Sequence, residues 1–294
     1  MIAALNKFEL GIFENVDIDD YHRDREFISS SAIKEARKSL KHFDWYLNNP
    51  GETKSHFEFG NAFELALMDS VNGTNDFDEN VLIFDESKRP EPDKNFGSNK
   101  NKDWKIEQFL TTKYIIAKTG DESFDTIQIM LKACKENELI EKLLKNTNYQ
   151  SSLFWEDSKT GIKLKTRPDV SKVNKSVIVD IKTTRDGSPR SFAKDVANYD
   201  YPLQAVLQMR GCVGTGMLEK VDKYYWLVAE KNPPYNVQIY NFPVSDWAFV
   251  EKDLDYVLGL IKQSRDNGKF EGYSYQSDNK FGIIDLVLPN WYKQ

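Results

Sequence analysis

One stretch limits the fold more than any other: Val177-Ile178-Val179-Asp180-Ile181-Lys182-Thr183-Thr184, preceded by Arg167-Pro168-Asp169. Its β-branched residues and period-2 alternation predict a strand. Val177, Val179, Ile181 and Thr183 share one face, and Ile178, Asp180 and Lys182 take the other. A hairpin turning at Asn174-Lys175 would set Asp169 opposite Asp180, with Cβ atoms ~4.5–5.5 Å apart. Asp180 and Lys182, two residues apart, would lie ~7 Å from each other on the same face. Asn-Lys is a poorer two-residue turn than Asn-Gly, and a bulge at Pro168 would shift the register.

Two carboxylates held this close repel by ~4 kcal/mol at an effective dielectric of ~20. A proton on one of them, or a cation between them, relieves the repulsion. Hard oxygen ligands suit Mg²⁺ or Mn²⁺. A lysine beside the pair can orient or deprotonate a water, or stabilise charge developing on a phosphate. Asp-x-Lys alone is common on surface hairpins. The opposed Pro-Asp is what points to metal-assisted phosphodiester hydrolysis.

Composition removes several other chemistries. Three histidines (His22, His42, His56) and two cysteines (Cys134, Cys212) leave no HExxH and no CxxC. GxGxxG, GxSxG and GxxxxGK[ST] are also missing, so zinc enzymes, nucleotide-binding folds and Ser–His hydrolases lose support. The cysteines read as small core residues in a reduced, cytoplasmic compartment. No apolar run approaches ~18 residues, so no membrane span is expected, and Met1–Leu10 does not read as a secretory signal. With 294 residues, 40% hydrophobic and 13% aromatic, the chain can build a sizeable core.

The pattern predicts a single domain over 1–294. It has an extension at 1–28, a mainly helical part at 29–148, and a sheet core with a C-terminal helix and strand at 149–294. Ser29-Ser30-Ser31 offers cap hydroxyls to a helix running to about Asn48, which Asn49-Pro50-Gly51 ends. A second helix spans Glu58–Asp69, with Phe59, Phe63, Ala66 and Leu67 on one stripe. Residues 84–104 read as an exposed loop, and helices follow over 103–117, 121–136 and 138–145. Strands are expected at 150–156, 162–167, 176–184, 223–230 and 235–242. Helices are expected at 191–197, 202–212 and 245–267, with one more apolar segment at Ile283–Leu288. Helices followed by a mostly antiparallel sheet predict an α/β (α+β) fold, a central mixed sheet flanked by helices with a helical N-terminal part.

Pro168-Asp169 … Asp180-Ile181-Lys182 resembles the PD-(D/E)XK nuclease motif, and further segments resemble the exonuclease VIII type of phage recombination nuclease. These are Ser29-Ser30-Ser31-Ala32, Phe59-Gly60-Asn61-Ala62-Phe63-Glu64, Tyr201-Pro202-Leu203-Gln204, Val228–Tyr235, Gly272-Tyr273 and Leu288-Pro289-Asn290-Trp291. They occur in the family's order over about residues 27–292. The resemblance implies a restriction-endonuclease-like core and 5′→3′ digestion of linear double-stranded DNA, leaving 3′ single strands. It implies that Asp169, Asp180 and Glu64 ligate metal, with the Ile181 carbonyl completing the shell. Lys182 would position or activate the attacking water, and Gln204 and Tyr201 would hold phosphate or water. Two Mg²⁺ or Mn²⁺ ions are expected, together with a ring-shaped homo-oligomer and a single-strand annealing recombinase as partner. Glu64 departs from the family's usual histidine. Glutamate is also an oxygen ligand, and phage lambda-type exonucleases use one in a similar place; Gly60, four residues before it, leaves room beside it.

Net charge is −6, which argues against indiscriminate coating of nucleic acid. Between 161 and 200, however, nine basic residues face five acidic ones. Lys163, Lys165 and Arg167 alternate, which predicts a phosphate-contacting strand face leading to the site. An endonuclease or single-strand nuclease on the same core, and a non-catalytic DNA-binding recombination scaffold, stay open as alternatives.

Overall fold

A computed structural model describes residues 8–49, 58–84, 89–94, 97–109, 113–273, 277, 279 and 281–288. Pro50-Gly51 and Pro289-Asn290-Trp291 lie outside the described residues. The chain opens with β1 (Gly11–Phe13) and α1 (Ile18–Arg23), followed by α2 (Ser30–Lys38), α3 (Leu40–Asn48), α4 (Glu58–Asn72) and α5 (Asp76–Asn80). Next come β2 (Val81–Phe84), α6 (Asn99–Phe109), β3 (Tyr114–Ala117), α7 (Phe124–Lys135) and α8 (Glu138–Leu144). The strand-rich half holds β4 (Asn148–Tyr149), β5 (Ser152–Glu156), β6 (Lys163–Thr166), β7 (Val170–Lys172) and β8 (Val177–Thr184). It continues through α9 (Pro189–Asn198), α10 (Tyr201–Gly214), β9 (Lys223–Glu230), β10 (Val237–Asn241) and α11 (Val244–Asn267).

Five strands form the central sheet in the order β10-β9-β8-β7-β4. The hairpin register is the expected one: Val170 pairs with Val179, Ser171 with Ile178 and Lys172 with Val177. Its turn is not a two-residue loop. A 3₁₀ turn at Val173–Lys175 ends on Ser176 in the left-handed region. The sheet is mixed because β8 and β9 run parallel from Val177↔Lys223 to Thr184↔Glu230. The crossover carrying α9 and α10 makes that possible. β7 pairs antiparallel with β8 and β4, and β10 pairs antiparallel with β9.

Both faces of β8 are covered, so its alternation sorts residues between two cores. Ile178 joins Tyr224, Trp226 and Val228 under α2, α10 and α11. Val177, Val179 and Ile181 join Leu227 and Ala229 under α4, α7 and α8. Asp180 therefore sits in the middle of a sandwiched strand and is completely buried.

A second sheet joins β1, β5 and β6, and Arg167-Pro168-Asp169 carries the backbone from its strand β6 to β7 of the central sheet. Proline donates no N–H, which suits a place where pairing stops. Against this sheet α10 packs very closely. A Cβ at Gly211 would stand 2.6 Å from Thr166 Cγ2 and 2.8 Å from Trp155 Cζ3.

Several local expectations change. The first long helix breaks at Ser39, whose backbone is extended and whose hydroxyl caps α3 at the His42 N–H. Among the described residues, α6 begins at Asn99 within the stretch expected as a loop, and the helix expected over 103–117 gives way after Phe109 to β3, which pairs parallel with β2. The last helix begins at Val244 after Pro243, not on a Ser245 cap. The apolar segment after residue 282 forms no regular element, and Leu286 and Val287 are exposed. Among the described residues, no helix is long and apolar enough to cross a membrane.

Candidate active site

β8 supplies the centre of the site. Asp180 and Lys182 project to the same side, and the Lys182 amine ion-pairs with Asp180 Oδ2, an oxygen that accepts no well-directed hydrogen bond. The other oxygen, Oδ1, accepts from Gln204 Nε2 at 3.2 Å. Gln204 lies in the first turn of α10, which opens on Tyr201-Pro202. Proline at that position costs no helix hydrogen bond. The Lys182 amine also stands 5.1 Å from the centre of the Tyr201 ring, a favourable place for a cation. Burial pulls the Lys182 pKa down, but Asp180 and Asp169 outweigh it and hold the amine firmly in its charged form.

Asp169 ends the passage between the two sheets, and its Oδ2 accepts the Ile181 N–H at 2.7 Å. This contact docks the Pro-Asp corner onto β8, just beyond the last ladder pair. Burial, followed by the charges of Glu64 and Asp180, pushes the Asp169 carboxyl well up. Glu64 arrives from α4 and is 7% exposed. Its Oε1 accepts from Gln150 Nε2 at 2.8 Å. Burial, opposed by the Gln150 hydrogen bond and Lys182, raises its carboxyl to about 7. Gly60, one turn before Glu64, lets α4 approach the strand: a Cβ there would lie 3.4 Å from Thr183 Oγ1.

Three carboxylates thus influence one another around a single lysine. Glu64, Asp169 and Gln204 also line a cleft of about 490 Å³ whose other walls include Ser29, Ser30, Ser31, Lys34, Asn61, Tyr114 and Arg167. Among the described residues, no three His, Cys, Asp or Glu side chains are gathered as a ready-made metal cage. Magnesium rarely uses such a cage. It takes one or two carboxylates and completes its shell with water and substrate phosphate. The excess of buried negative charge and the oxygen-only donors fit such an ion.

The basic alternation on β6 serves the fold. Lys165 is 3% exposed and donates to the carbonyls of Tyr21 and of Asp24, the latter at 2.6 Å. Lys163 pairs with Glu26. Arg167 donates to Ser152 Oγ and to the Val16 carbonyl, both at 2.9 Å. The three residues therefore do not form the exposed phosphate track that their spacing predicts. Lys165 and Arg167 both lie against the Tyr21 ring, at 4.8 and 4.6 Å from its centre. Only Arg167 of the three lines the cleft.

Other residues at the site carry no sequence signal of their own. Gln150 belongs to no motif. Gln208 lies one turn after Gln204, lines the cleft, and accepts from the buried Tyr224 hydroxyl at 2.6 Å. Its i+4 spacing from Gln204 is the feature that could have marked it.

An Asp-x-Lys strand, a docked Pro-Asp corner and a helix-borne glutamate on a mixed sheet define a PD-(D/E)XK nuclease-like protein. The chain belongs to the family described as a PDDEXK-like domain of unknown function (DUF3799), whose model matches residues 29–274. A solved structure from Eubacterium rectale, named as a candidate exonuclease, has the same fold. It aligns with a TM-score of 0.56 at 12% identity, over 94% of this chain and 96% of its own. The crystal structure of SSO0001 aligns only loosely, with a TM-score of 0.27 at 13% identity, over 70% of this chain and 87% of its own. No curated protein sequence matches.

Proposed function

We propose that this protein is a divalent-metal-dependent DNA exonuclease that digests linear double-stranded DNA 5′→3′ and leaves 3′ single strands for recombination. The observation that carries the reading is the pairing of Asp180 and Lys182 on one sandwiched strand, with Asp169 docked beside them on the Ile181 N–H. Asp169, Asp180 and Glu64 would hold Mg²⁺ or Mn²⁺, with the Ile181 carbonyl as a further oxygen. The metal would polarise the scissile phosphate and lower the pKa of a bound water.

The chain's own residues would do the rest. Gln204 fixes the Asp180 carboxylate through Oδ1 and leaves Oδ2 toward the lysine. Lys182, held as an ammonium, donates to the attacking water or to the phosphate oxygen that gains charge. Its contact with the Tyr201 ring narrows the rotamers open to it. Asp180 is enclosed between the two covered faces of the sheet, so its pairing with Lys182 acts in a low dielectric, while Glu64 and Asp169 open onto the cleft. A ring-shaped homo-oligomer around the duplex, and hand-over of the 3′ strand to an annealing recombinase, belong to the same reading.

The test is degradation of linear against covalently closed duplex DNA with Mg²⁺ or Mn²⁺, using 5′-blocked and 3′-blocked ends. Loss of linear DNA alone, stopped by a 5′ block and by Lys182→Ala, is the expected result. Cleavage of closed circles would make the protein an endonuclease. Folded protein inactive with both metals would point to a DNA-binding scaffold.

A further inference from the structure

α9 and α10 are joined by only two residues, Tyr199 and Asp200. Asp200 adopts the left-handed region, with φ 55°, which aspartate tolerates better than most residues. α2 braces the corner from outside. Lys34 Nζ donates to the Tyr199 carbonyl at 2.5 Å. Arg37 ion-pairs with Asp200 and, at 3.1 Å, with Asp253 of α11. The backbone that carries Tyr199 is therefore fixed from three helices.

On that rigid corner the Tyr199 side chain is 58% exposed. Its ring stacks on Tyr201 with centroids 5.7 Å apart and planes 25° from parallel. Tyr201 in turn contacts the Lys182 amine at 5.1 Å. Tyr201 also leans on Phe192, with centroids 6.2 Å apart, and Phe192 is buried. A run of three rings, Phe192, Tyr201 and Tyr199, thus leads from the core, past the candidate catalytic lysine, to solvent. Sugar–phosphate chains present a base every ~3.4 Å when stacked. A strand whose phosphate faces Lys182 would bring a base of a neighbouring nucleotide within reach of Tyr199. Rigid, half-covered aromatic rings beside a phosphate site are how proteins hold single-stranded nucleic acid without reading its sequence.

Resting on the nuclease reading above, we propose that Tyr199 is a base-stacking residue: its exposed ring holds an unpaired nucleobase of the strand whose phosphate faces Lys182. It binds substrate and positions it, without regard to base identity, and Tyr201 backs it. Because the base must be unstacked from its partner strand, the site favours frayed or single-stranded ends over closed duplex.

The test measures DNA binding apart from cleavage. A fluorescein-labelled single strand is titrated by anisotropy, without divalent metal and at fixed salt, against wild type, Tyr199→Phe and Tyr199→Ala. Stacking on one ring is worth on the order of tenfold in affinity. Tyr199→Phe should match wild type within about twofold, and Tyr199→Ala should lose about tenfold. An abasic nucleotide scanned along the strand should cost wild type that same factor at one position and cost Tyr199→Ala nothing there. Equal affinity and equal abasic profiles for wild type and Tyr199→Ala would overturn the proposal. So would a change of oligomeric state in Tyr199→Ala by sedimentation, which would make the ring a contact between copies. Wild type that shows the stacking pattern yet cuts no DNA with Mg²⁺ or Mn²⁺ would remove the nuclease reading and leave Tyr199 as a base-binding residue. Wild type that cuts DNA while Tyr199→Ala binds and cuts equally well would remove the stacking proposal alone.

Discussion

Replacing Gly211 by alanine should destabilise the protein, although helix propensity alone predicts the reverse. Gly211 lies inside α10, where alanine normally gains about 1 kcal/mol over glycine. The added methyl would stand 2.6 Å from Thr166 Cγ2 and 2.8 Å from Trp155 Cζ3, whereas carbon atoms in contact sit ~3.5–4.0 Å apart. Thr166 and Trp155 are 5% and 6% exposed and are held in strands β6 and β5. Neither can swing aside, so α10 must lift by about 1 Å and leave gaps along its length. Overpacking of this kind costs ~1–3 kcal/mol, and two contacts this short put it in the upper half of that range. The net effect is a loss of about 1–2 kcal/mol after the propensity gain.

Gly259 supplies the control. It lies in α11, and a Cβ there would meet nothing within 4 Å. Gly259→Ala should therefore gain about 1 kcal/mol. For a chain of this size each kcal/mol moves Tm by ~2–4 °C, so the two variants should separate by about 4–12 °C on opposite sides of wild type. Urea midpoints compared at constant m would check the same order. If both variants melt above wild type by similar amounts, the packing argument for α10 is wrong.

Three further outcomes follow from the site and its supports. Gln204→Leu leaves the fully buried Asp180 Oδ1 without its donor and should cost about 1–3 kcal/mol, read as a lower urea midpoint together with loss of nuclease activity. Burial lowers the Lys165 amine to about 8, against an ordinary value of 10.5. Between those values the unfolded chain binds more protons, so this residue makes stability rise with pH across the window. Lys165→Met should remove that slope in a Tm-against-pH series, and an unchanged slope would refute the assignment. If Glu64 ligates the metal, its carboxyl, raised to about 7, must ionise first. Mn²⁺ should then raise Tm more at about pH 8 than at about pH 6, and Glu64→Gln should flatten the difference.

The hairpin was readable because alternation on β8 leaves few registers, and the observed ladder keeps the expected one. The shared side of Asp180 and Lys182 was readable for the same reason. The parallel partner of β8 was not, since β9 lies beyond two helices and no local pattern names it. β2 and β3 were missed because four-residue strands set among helical residues give no period to detect. Lys163, Lys165 and Arg167 alternate as a basic strand face should. Their charges instead go to α1 and the segments on either side of it, and only the tertiary fold shows it. Gln150 has no motif, and Tyr199 gains its meaning from a corner that α2 holds from far away in sequence.

That brace has a consequence during synthesis. Lys34 and Arg37 meet Tyr199 and Asp200 across separations of 165 and 163 residues. At ~5–20 residues per second, α2 leaves the ribosome on the order of ten to thirty seconds before the corner it will hold. Throughout that interval Ile33 and Ala36, fully enclosed in the finished protein, face water or a chaperone. The nascent chain is therefore most vulnerable to aggregation and proteolysis before α10 emerges. A pulse of protease on stalled chains of increasing length should show protection of α2 switching on only once that helix has cleared the exit tunnel.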